Sequence, residues 1–337
     1  MKDDRMTEIW KKAGQLFVVG FKGEKPANSF LQFLQEEEIG GVILFSDNCP
    51  THQVARQNIE QIRACFPRIV PLVAIDQEGG RVCRLKGAPV EYRAAAEYGL
   101  AREPEHFSEQ YSRAAMYMEA MGINLNLAPV ADIYSNPNNS VLRDRCFSDD
   151  PEIVAKFVEA SVQVARSAGL LSCLKHFPGL GEAAIDPHHD VAQIEYDELV
   201  WEQREKIPFE TGIAAGADLV MTTHVLLPGF DDQIVTGSEK IVSKLLRGEL
   251  AFDGPVISDD LCMKGASALG DIGERTVAAF NAGHDLLLFG QDSDTSMQAF
   301  DYFCDAGRRG EIDPQRVMTS LDRIAGVKFR LGRSVMK

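Results

Sequence analysis

Short apolar runs rich in β-branched residues alternate along the chain with longer stretches of helical period. The candidate strands are residues 15–21, 41–45, 72–76, 123–128, 171–175, 219–223, 255–258 and 285–289. Their apolar residues are continuous and do not alternate with polar ones, which is typical of strands buried on both faces of a parallel sheet. Eight such units favour an α/β fold, a single (β/α)8 TIM-type barrel, over an open doubly wound sheet.

Helical stretches separate the candidate strands, and one more follows the last strand. They cover residues 28–38, 51–65, 105–121, 151–168, 197–215, 238–250, 274–282, 293–306 and 313–331. Several begin with a capping signal, as at Asp150-Pro151 and Ser238-Glu239. No linker, low-complexity tract or block of charge divides the 337 residues, so we expect a single domain covering residues 1–337.

Charge and hydropathy argue against several classes of partner. The formal net charge of -15 repels polyanions, so neither nucleic acid nor an anionic membrane is an expected partner. No apolar run approaches the roughly 20 residues that a membrane-spanning helix needs. The segment from Met1 carries acidic residues and leads into no apolar stretch of the kind found in secretory signals. We therefore expect a cytoplasmic protein.

The cysteines do not form a recognisable metal or disulfide pattern. There are seven of them, an odd number, scattered without pairs at the spacing of metal ligands. We therefore expect reduced thiols, no metal and no cofactor. We also expect a monomer.

Polar residues that could carry chemistry follow several candidate strands. They are Asp76 after the third strand, Lys175-His176 after the fifth, His224 after the sixth and Ser258-Asp259-Asp260 after the seventh. Carboxylates and bases at the ends of apolar runs cost free energy unless they are paired or used. Because a barrel places its site at the carboxyl ends of its strands, this distribution predicts a functional site there.

Four segments resemble the motifs of glycoside hydrolase family 3, in particular its small single-domain β-N-acetylglucosaminidases. They are Ile75-Asp76-Gln77-Glu78-Gly79-Gly80-Arg81-Val82-Cys83-Arg84-Leu85, Leu127-Ala128-Pro129-Val130-Ala131-Asp132, Lys175-His176-Phe177-Pro178-Gly179 and Ser258-Asp259-Asp260-Leu261. Their order and spread cover nearly the whole chain. The resemblance implies a (β/α)8 barrel that acts as a retaining β-N-acetylhexosaminidase on carbohydrate, in the setting of bacterial peptidoglycan recycling.

The resemblance implies that Asp259 is the nucleophile, forming a covalent glycosyl intermediate. Such a carboxylate must be ionised to attack the anomeric carbon. Asp260 competes for the role, but its side chain is expected to point away, since adjacent residues of a strand face opposite sides.

The resemblance also implies an acid/base histidine on the loop after the fifth strand, oriented by an aspartate two residues earlier. Asp186-Pro187-His188 matches that arrangement, so His188 is the implied acid/base and Asp186 its partner. A histidine with an ordinary pKa near 6.5 can donate a proton and later remove one from water. His189 is the alternative, and a surface loop with two adjacent histidines is the interpretation without catalysis.

The residues implied to bind the sugar are Asp76, Arg84, Arg145, Lys175 and His176. Asp76 and Arg84 could instead form a buried ion pair that braces the mouth of the barrel. His224 could line the pocket or support it from behind.

The sequence departs from the family pattern on the loop after the fifth strand. Leu180 stands where the family usually has His, and Pro187 where it prefers Ser. Pro187 restricts Asp186 to extended backbone geometry. After the second strand, Ser46-Asp47-Asn48 replaces a more usual Arg-Asn. These changes leave the implied nucleophile and sugar contacts in place, but substrate preference stays open.

Three other interpretations remain. A β-glycoside phosphorylase or transglycosylase could use the same site, because a histidine acid/base does not repel an incoming phosphate. The altered loop also allows a non-catalytic sugar-binding barrel. From the residues alone, a metal-dependent barrel hydrolase is a further alternative, although the histidines lack a His-x-His or His-x-x-x-His pair.

Overall fold

The computed structural model describes residues 9–184, 192–290 and 292–334. Within these residues, eight parallel strands form one sheet. They are β1 (Phe17–Val19), β2 (Gly41–Leu44), β3 (Leu72–Ile75), β4 (Leu125–Asn126), β5 (Leu171–Phe177), β6 (Leu219–Thr222), β7 (Val256–Ile257) and β8 (Leu287–Phe289). All eight overlap the strands predicted from the apolar runs, and every strand residue is buried.

The sheet curves into a nearly closed barrel. Its strand order is β7-β6-β5-β4-β3-β2-β1-β8, so neighbours in sequence are neighbours in space. The two ends meet where Ile257 and Leu286 form a parallel bridge and the Ser258 amide donates to the Leu286 carbonyl at 3.0 Å. The predicted (β/α)8 barrel is confirmed.

Helices surround the barrel. They are α1 (Asn28–Glu36), α2 (His52–Ala64), α3 (Ala95–Ala101), α4 (Pro104–Met121), α5 (Pro151–Ser167), α6 (the consecutive segments Glu198–Val200, Trp201–Glu205 and Lys206–Ala214), α7 (Lys240–Glu249), α8 (Ile272–Ala282), α9 (Ser293–Arg308) and α10 (Pro314–Ser334). The middle of α6 and all of α7 have π-helical hydrogen bonding. No described helix combines the length and apolar character that a membrane span requires.

A short helix and a hairpin are among the features that were not predicted from the sequence. Helix α3 is short and contains Gly99, which has to be glycine because a Cβ there would lie 1.6 Å from the Phe147 carbonyl oxygen. After β3 the chain forms a small hairpin from Gln77–Gly79 and Val82–Cys83. This hairpin matters for the site, because it turns the residues that follow β3 back over the mouth of the barrel.

A cluster of charge stabilises the amino-terminal end of the barrel. Asp285, just before β8, is completely buried. Its carboxylate forms ion pairs with Arg247 at 2.5 Å, Arg316 at 3.0 Å and Arg323 at 3.2 Å. It also accepts a hydrogen bond from the Val256 amide at 2.9 Å. Burial alone would raise the pKa of Asp285, but the guanidinium groups lower it. The carboxylate thereby ties α7 and α10 to β7 and β8.

Replacing Asp285 with Asn should lower the free energy of unfolding by about 3–5 kcal/mol, because buried cations lose their counterion. The lowered pKa means that this contribution is present above the ordinary pKa of an unfolded aspartate, about 3.9, and is lost as the pH falls through the folded value. Urea unfolding at pH 7 and at a series of acidic pH values measures both effects. In the variant, the free energy of unfolding should fall less steeply as the pH is lowered, because this carboxylate is no longer there to be protonated.

Asp305→Asn is the matched control, because Asp305 pairs with Arg308 on the exposed face of α9. Exposed pairs contribute little, so unfolding should be almost unchanged. Equal losses in the two variants would contradict the role given to Asp285.

Candidate active site

A cavity of about 730 Å³ opens at the carboxyl ends of the strands. It is lined by Ile43, Phe45, Asp76, Glu78, Arg81, Val82, Arg84, Leu127, Ser140, Val141, Arg145, Lys175, His176, Leu180, Met221, Asp259, Asp260, Met263 and Leu288. The five implied sugar contacts and the implied nucleophile are all in this set. These six residues, which are up to 183 positions apart in sequence (Asp76 to Asp259), therefore share one cavity.

One wall of the cavity is charged and is formed by Asp76, Glu78, Arg84, Arg145 and Lys175. Lys175 lies at the centre of this charged wall. It belongs to β5 and its side chain is buried, with 2% of its surface exposed. Its Nζ donates to Asp76 Oδ1 at 2.7 Å and lies 2.6 Å from Glu78 Oε1. Burial alone would lower the pKa of Lys175, but the two carboxylates raise it. Lys175 is therefore a cation at neutral pH.

Glu78 holds a second cation in the same wall. Its carboxylate accepts Arg145 Nε at 2.7 Å and Arg145 Nη2 at 2.9 Å, a bidentate pair. Burial opposes ionisation of Glu78, but Arg145 and Lys175 together lower its pKa well below the ordinary value. Arg145 Nη2 also lies 3.4 Å from His176 Nε2.

Asp76 and Arg84 form the outer part of this wall. Arg84 Nη2 lies 3.4 Å from Asp76 Oδ2, and the guanidinium group lies 5.7 Å from the centre of the Phe45 ring. Burial would raise the pKa of Asp76, but Lys175 and Arg84 lower it. The sequence suggested either an ion pair or a sugar contact for these two residues. In the structure they form the ion pair and also line the cavity.

Gln77 shapes the hairpin that carries Asp76 and Glu78. Its buried side chain accepts from the amides of Arg84 at 2.9 Å and Leu85 at 3.1 Å. It donates to the carbonyls of Leu85 and Val90, both at 3.0 Å. This uncharged side chain thereby fixes the backbone from which two cavity carboxylates extend.

His176 is oriented by a buried carboxylate. Asp132 Oδ2 lies 2.7 Å from His176 Nδ1, and Asp132 Oδ1 accepts from the Leu180 amide at 2.7 Å. The Nδ1 proton is therefore directed at Asp132, which leaves Nε2 facing Arg145 and the cavity. Asp132 and Glu78 both lie within motifs quoted from the sequence, but neither was given a role there.

Asp259 and Asp260 follow β7, and both border the cavity. The expectation that Asp260 points away was based on strand alternation, which does not extend to these residues, because β7 ends at Ile257. The two carboxylates differ in their partners. Asp259 Oδ1 accepts from the Asp260 amide at 2.8 Å. Asp260 Oδ1 is engaged by two amides, those of Cys262 and Gly290, each at 2.9 Å.

Burial raises the pKa of Asp260, although the Cys262 and Gly290 amides partly offset this. A Cβ at Gly290 would lie 2.2 Å from Asp260 Oδ2, so a side chain there would displace the Asp260 carboxylate. Asp260 is therefore packed against the β8 end of the barrel, whereas Asp259 is held through one neighbouring amide.

His224 supports this segment from behind. It is completely buried, its Nε2 donates to the Asp260 carbonyl at 2.9 Å, and its Nδ1 lies 2.6 Å from Thr236 Oγ1. Burial lowers its pKa. Of the two roles considered for His224, the structure places it behind the cavity wall.

Asp186, Pro187, His188 and His189 lie outside the described residues. The loop that leads to them is described as far as residue 184, with Leu180 lining the cavity. Among the described residues, no group of three or more His, Cys, Asp or Glu side chains is arranged to hold a metal ion. All seven cysteines are described, and all are free thiols.

Comparison with known proteins agrees with the resemblance seen in the sequence. Residues 8–327 match the family described as "Glycosyl hydrolase family 3 N terminal domain". A protein named beta-hexosaminidase from Xanthomonas oryzae pv. oryzae (strain KACC10331 / KXO85) is 35% identical over 283 residues, which is 81% of this chain and 83% of the relative. A beta-hexosaminidase from Stenotrophomonas maltophilia (strain K279a) is 35% identical over 281 residues, 81% of this chain and 82% of the relative.

Solved structures give the same result. A glycoside hydrolase family 3 beta-N-acetylglucosaminidase from Paenibacillus sp. str. FPU-7 has a TM-score of 0.92 and 32% identity over 96% of this chain, which spans 62% of the length of that protein. Beta-N-acetylhexosaminidase from Beutenbergia cavernae DSM 12333 has a TM-score of 0.86 and 29% identity, over 95% of this chain and 98% of that one. The family match over most of the sequence, together with these identities, shows that the chain belongs to glycosyl hydrolase family 3.

Proposed function

We propose that this family 3 glycoside hydrolase removes terminal, non-reducing β-linked N-acetylglucosamine with retention of configuration, from cell-wall muropeptides in particular. The observation that carries the proposal is the position of the Asp259 carboxylate in a cavity walled by Asp76, Lys175, Glu78 and Arg145. The relatives named beta-hexosaminidase support the choice of sugar.

Asp259 is the proposed nucleophile. One of its oxygens attacks the anomeric carbon while the bond from that carbon to the leaving oxygen breaks, giving a covalent glycosyl ester. The amide of Asp260, 2.8 Å from Asp259 Oδ1, fixes the plane of the carboxylate. Asp260 is less suited to attack, because the amides of Cys262 and Gly290 both bind its Oδ1.

His188 is the proposed acid/base, oriented by Asp186. It protonates the leaving oxygen in the first step and removes a proton from water in the second, so that the water oxygen displaces Asp259 and the β configuration is restored. The pKa of an ordinary histidine, near 6.5, suits both directions of proton transfer.

The charged wall is the proposed sugar-binding surface. Vicinal hydroxyl groups donate to carboxylates and accept from ammonium or guanidinium groups, so Asp76, Arg84 and Lys175 offer a bidentate contact, with Arg145 and His176 beside it. Because these groups are already paired with one another, their positions are set before the sugar binds and little ordering cost remains.

A panel of nitrophenyl β-glycosides tests the substrate. The N-acetylglucosaminide should be cleaved at least about 10²-fold faster, in kcat/KM, than the glucoside that lacks the 2-acetamido group, because a polar site rejects a ligand that leaves its groups unpaired. Proton NMR should detect the β-anomer of the free sugar first. Release of the α-anomer first would contradict the retaining mechanism, and accumulation of sugar 1-phosphate in phosphate buffer would favour a phosphorylase.

Exchange of each aspartate for asparagine separates the two candidates for the nucleophile. Asp259→Asn should lower kcat by about 10⁴-fold or more, since the attacking oxygen anion is lost. Asp260→Asn keeps an acceptor for the amides and should lower kcat by about 10- to 100-fold. Rates of nitrophenol release, with unfolding curves of both variants, provide the measurement. The reverse order of losses would assign the attack to Asp260.

A further inference from the structure

The loop after β5 rests on helix α6. Trp201 Nε1 donates to the Pro178 carbonyl at 3.2 Å. Tyr196, in the segment just before α6, donates its hydroxyl to the Gly179 carbonyl, also at 3.2 Å. The start of the loop is therefore held on its outer side by α6 and its approach, while Asp132 holds it on the inner side.

Glu205 lies directly beneath this loop. Its side chain is completely buried, and a Cβ at Gly179 would lie 2.6 Å from Glu205 Oε2. Gly179 has a φ of 132°, which favours glycine independently. The carboxyl group of Glu205 therefore occupies the space that a side chain at position 179 would need.

Arg204 links Glu205 to the outer part of the loop. Its Nε lies 2.7 Å from Glu205 Oε1, and its Nη2 forms an ion pair with Glu182. Both residues belong to the π-helical segment Trp201–Glu205. Two consecutive side chains of α6 thus contact the loop at Gly179 and at Glu182.

Burial favours the uncharged form of Glu205. Glu205 Oε2 is buried and has no hydrogen-bond partner among the described residues. Burial raises the pKa of Glu205 to about 8; Arg204 opposes the shift, and the negative charges of Asp132 and Glu182 add to it. Burial raises the pKa values of Tyr196 and Cys146, and a negative charge on Glu205 would raise both further. The raised pKa favours the protonated, neutral form of Glu205.

We propose that Glu205, together with Arg204, is a positioning residue that holds the loop after β5 so that the acid/base can reach the leaving oxygen. The proposal rests on the proposed function, which places the acid/base His188 six residues beyond Glu182. Glu205 touches neither the cavity nor the substrate. It acts through Gly179 and, by way of Arg204, through Glu182.

The role predicts a defect that depends on the leaving group. A dinitrophenolate departs without protonation, whereas a simple alcohol or a second sugar must receive a proton as it leaves. If Glu205 positions the proton donor, its loss should slow cleavage only where that proton is needed. A general loss of packing would slow both kinds of substrate alike.

The test compares kcat/KM for 2,4-dinitrophenyl and methyl N-acetyl-β-glucosaminide. Glu205→Ala should lose about 10- to 100-fold on the methyl glycoside and less than about threefold on the dinitrophenyl glycoside. Glu205→Gln, which is neutral and has the same shape, should restore the methyl glycoside rate to within about threefold of wild type. Glu202→Ala, an exposed neighbour on the same segment, should match wild type on both substrates.

Two results would overturn the proposal. One is a Glu205→Ala enzyme that treats both substrates alike, whether both rates fall equally or neither falls. The other is a Glu205→Gln enzyme as impaired as Glu205→Ala. If the alanine variant does not fold, Glu205→Asp, whose carboxyl withdraws from Gly179 by one methylene, is judged by the same two rates. His188→Ala is the reference: if it lacks the leaving-group dependence, the proposed acid/base fails, whatever Glu205 does.

Discussion

The ammonium group of Lys175, buried between Asp76 and Glu78, is the interaction on which the rest of the site depends. A buried ion costs several kcal/mol unless it is well paired, and here each partner follows β3 while the lysine belongs to β5. The pairing therefore fixes the carboxyl ends of the two strands relative to each other across β4. Glu78, once held, positions Arg145, and Arg145 faces His176.

Side chains behind the cavity, one uncharged and one a carboxylate, fix the backbone segments that carry the cavity residues. Gln77 fixes the hairpin after β3, and Asp132 fixes both His176 and the loop after β5. The opposite end of the barrel is stabilised separately, through Asp285 and its arginines. This division is expected of the fold, in which one face of the barrel carries stability and the other carries chemistry.

Much of the fold followed from the sequence, for a simple physical reason. Strands buried on both faces have to be apolar throughout, so their runs and their number could be read directly. The polar residues that interrupt this pattern, such as Asp76 and Lys175, marked the cavity. The placement of Arg145 in the site came from the resemblance to a family, because nothing in the spacing of Arg145 and His176 reveals that they meet.

The gaps in the sequence-based prediction have a common cause. Side-chain directions beyond the end of a strand depend on how the backbone turns, and the sequence does not specify that turn. Asp260 was expected to face away on strand alternation, but β7 ends at Ile257, three residues before it, so alternation does not set the direction of its side chain. Glu78 and Asp132 were overlooked because their importance comes from partners distant in sequence, Arg145 and His176.

The central claim is that the carboxylate of Asp259 bonds to the anomeric carbon. The most direct measurement is to react the enzyme with an activated fluorinated N-acetylglucosamine donor, whose fluorine slows breakdown of the glycosyl enzyme, and to locate the sugar by peptide mass spectrometry and crystallography. The account predicts one sugar per chain, bonded to Asp259 within the cavity that Lys175 helps to form. A sugar bonded to any other side chain would contradict it.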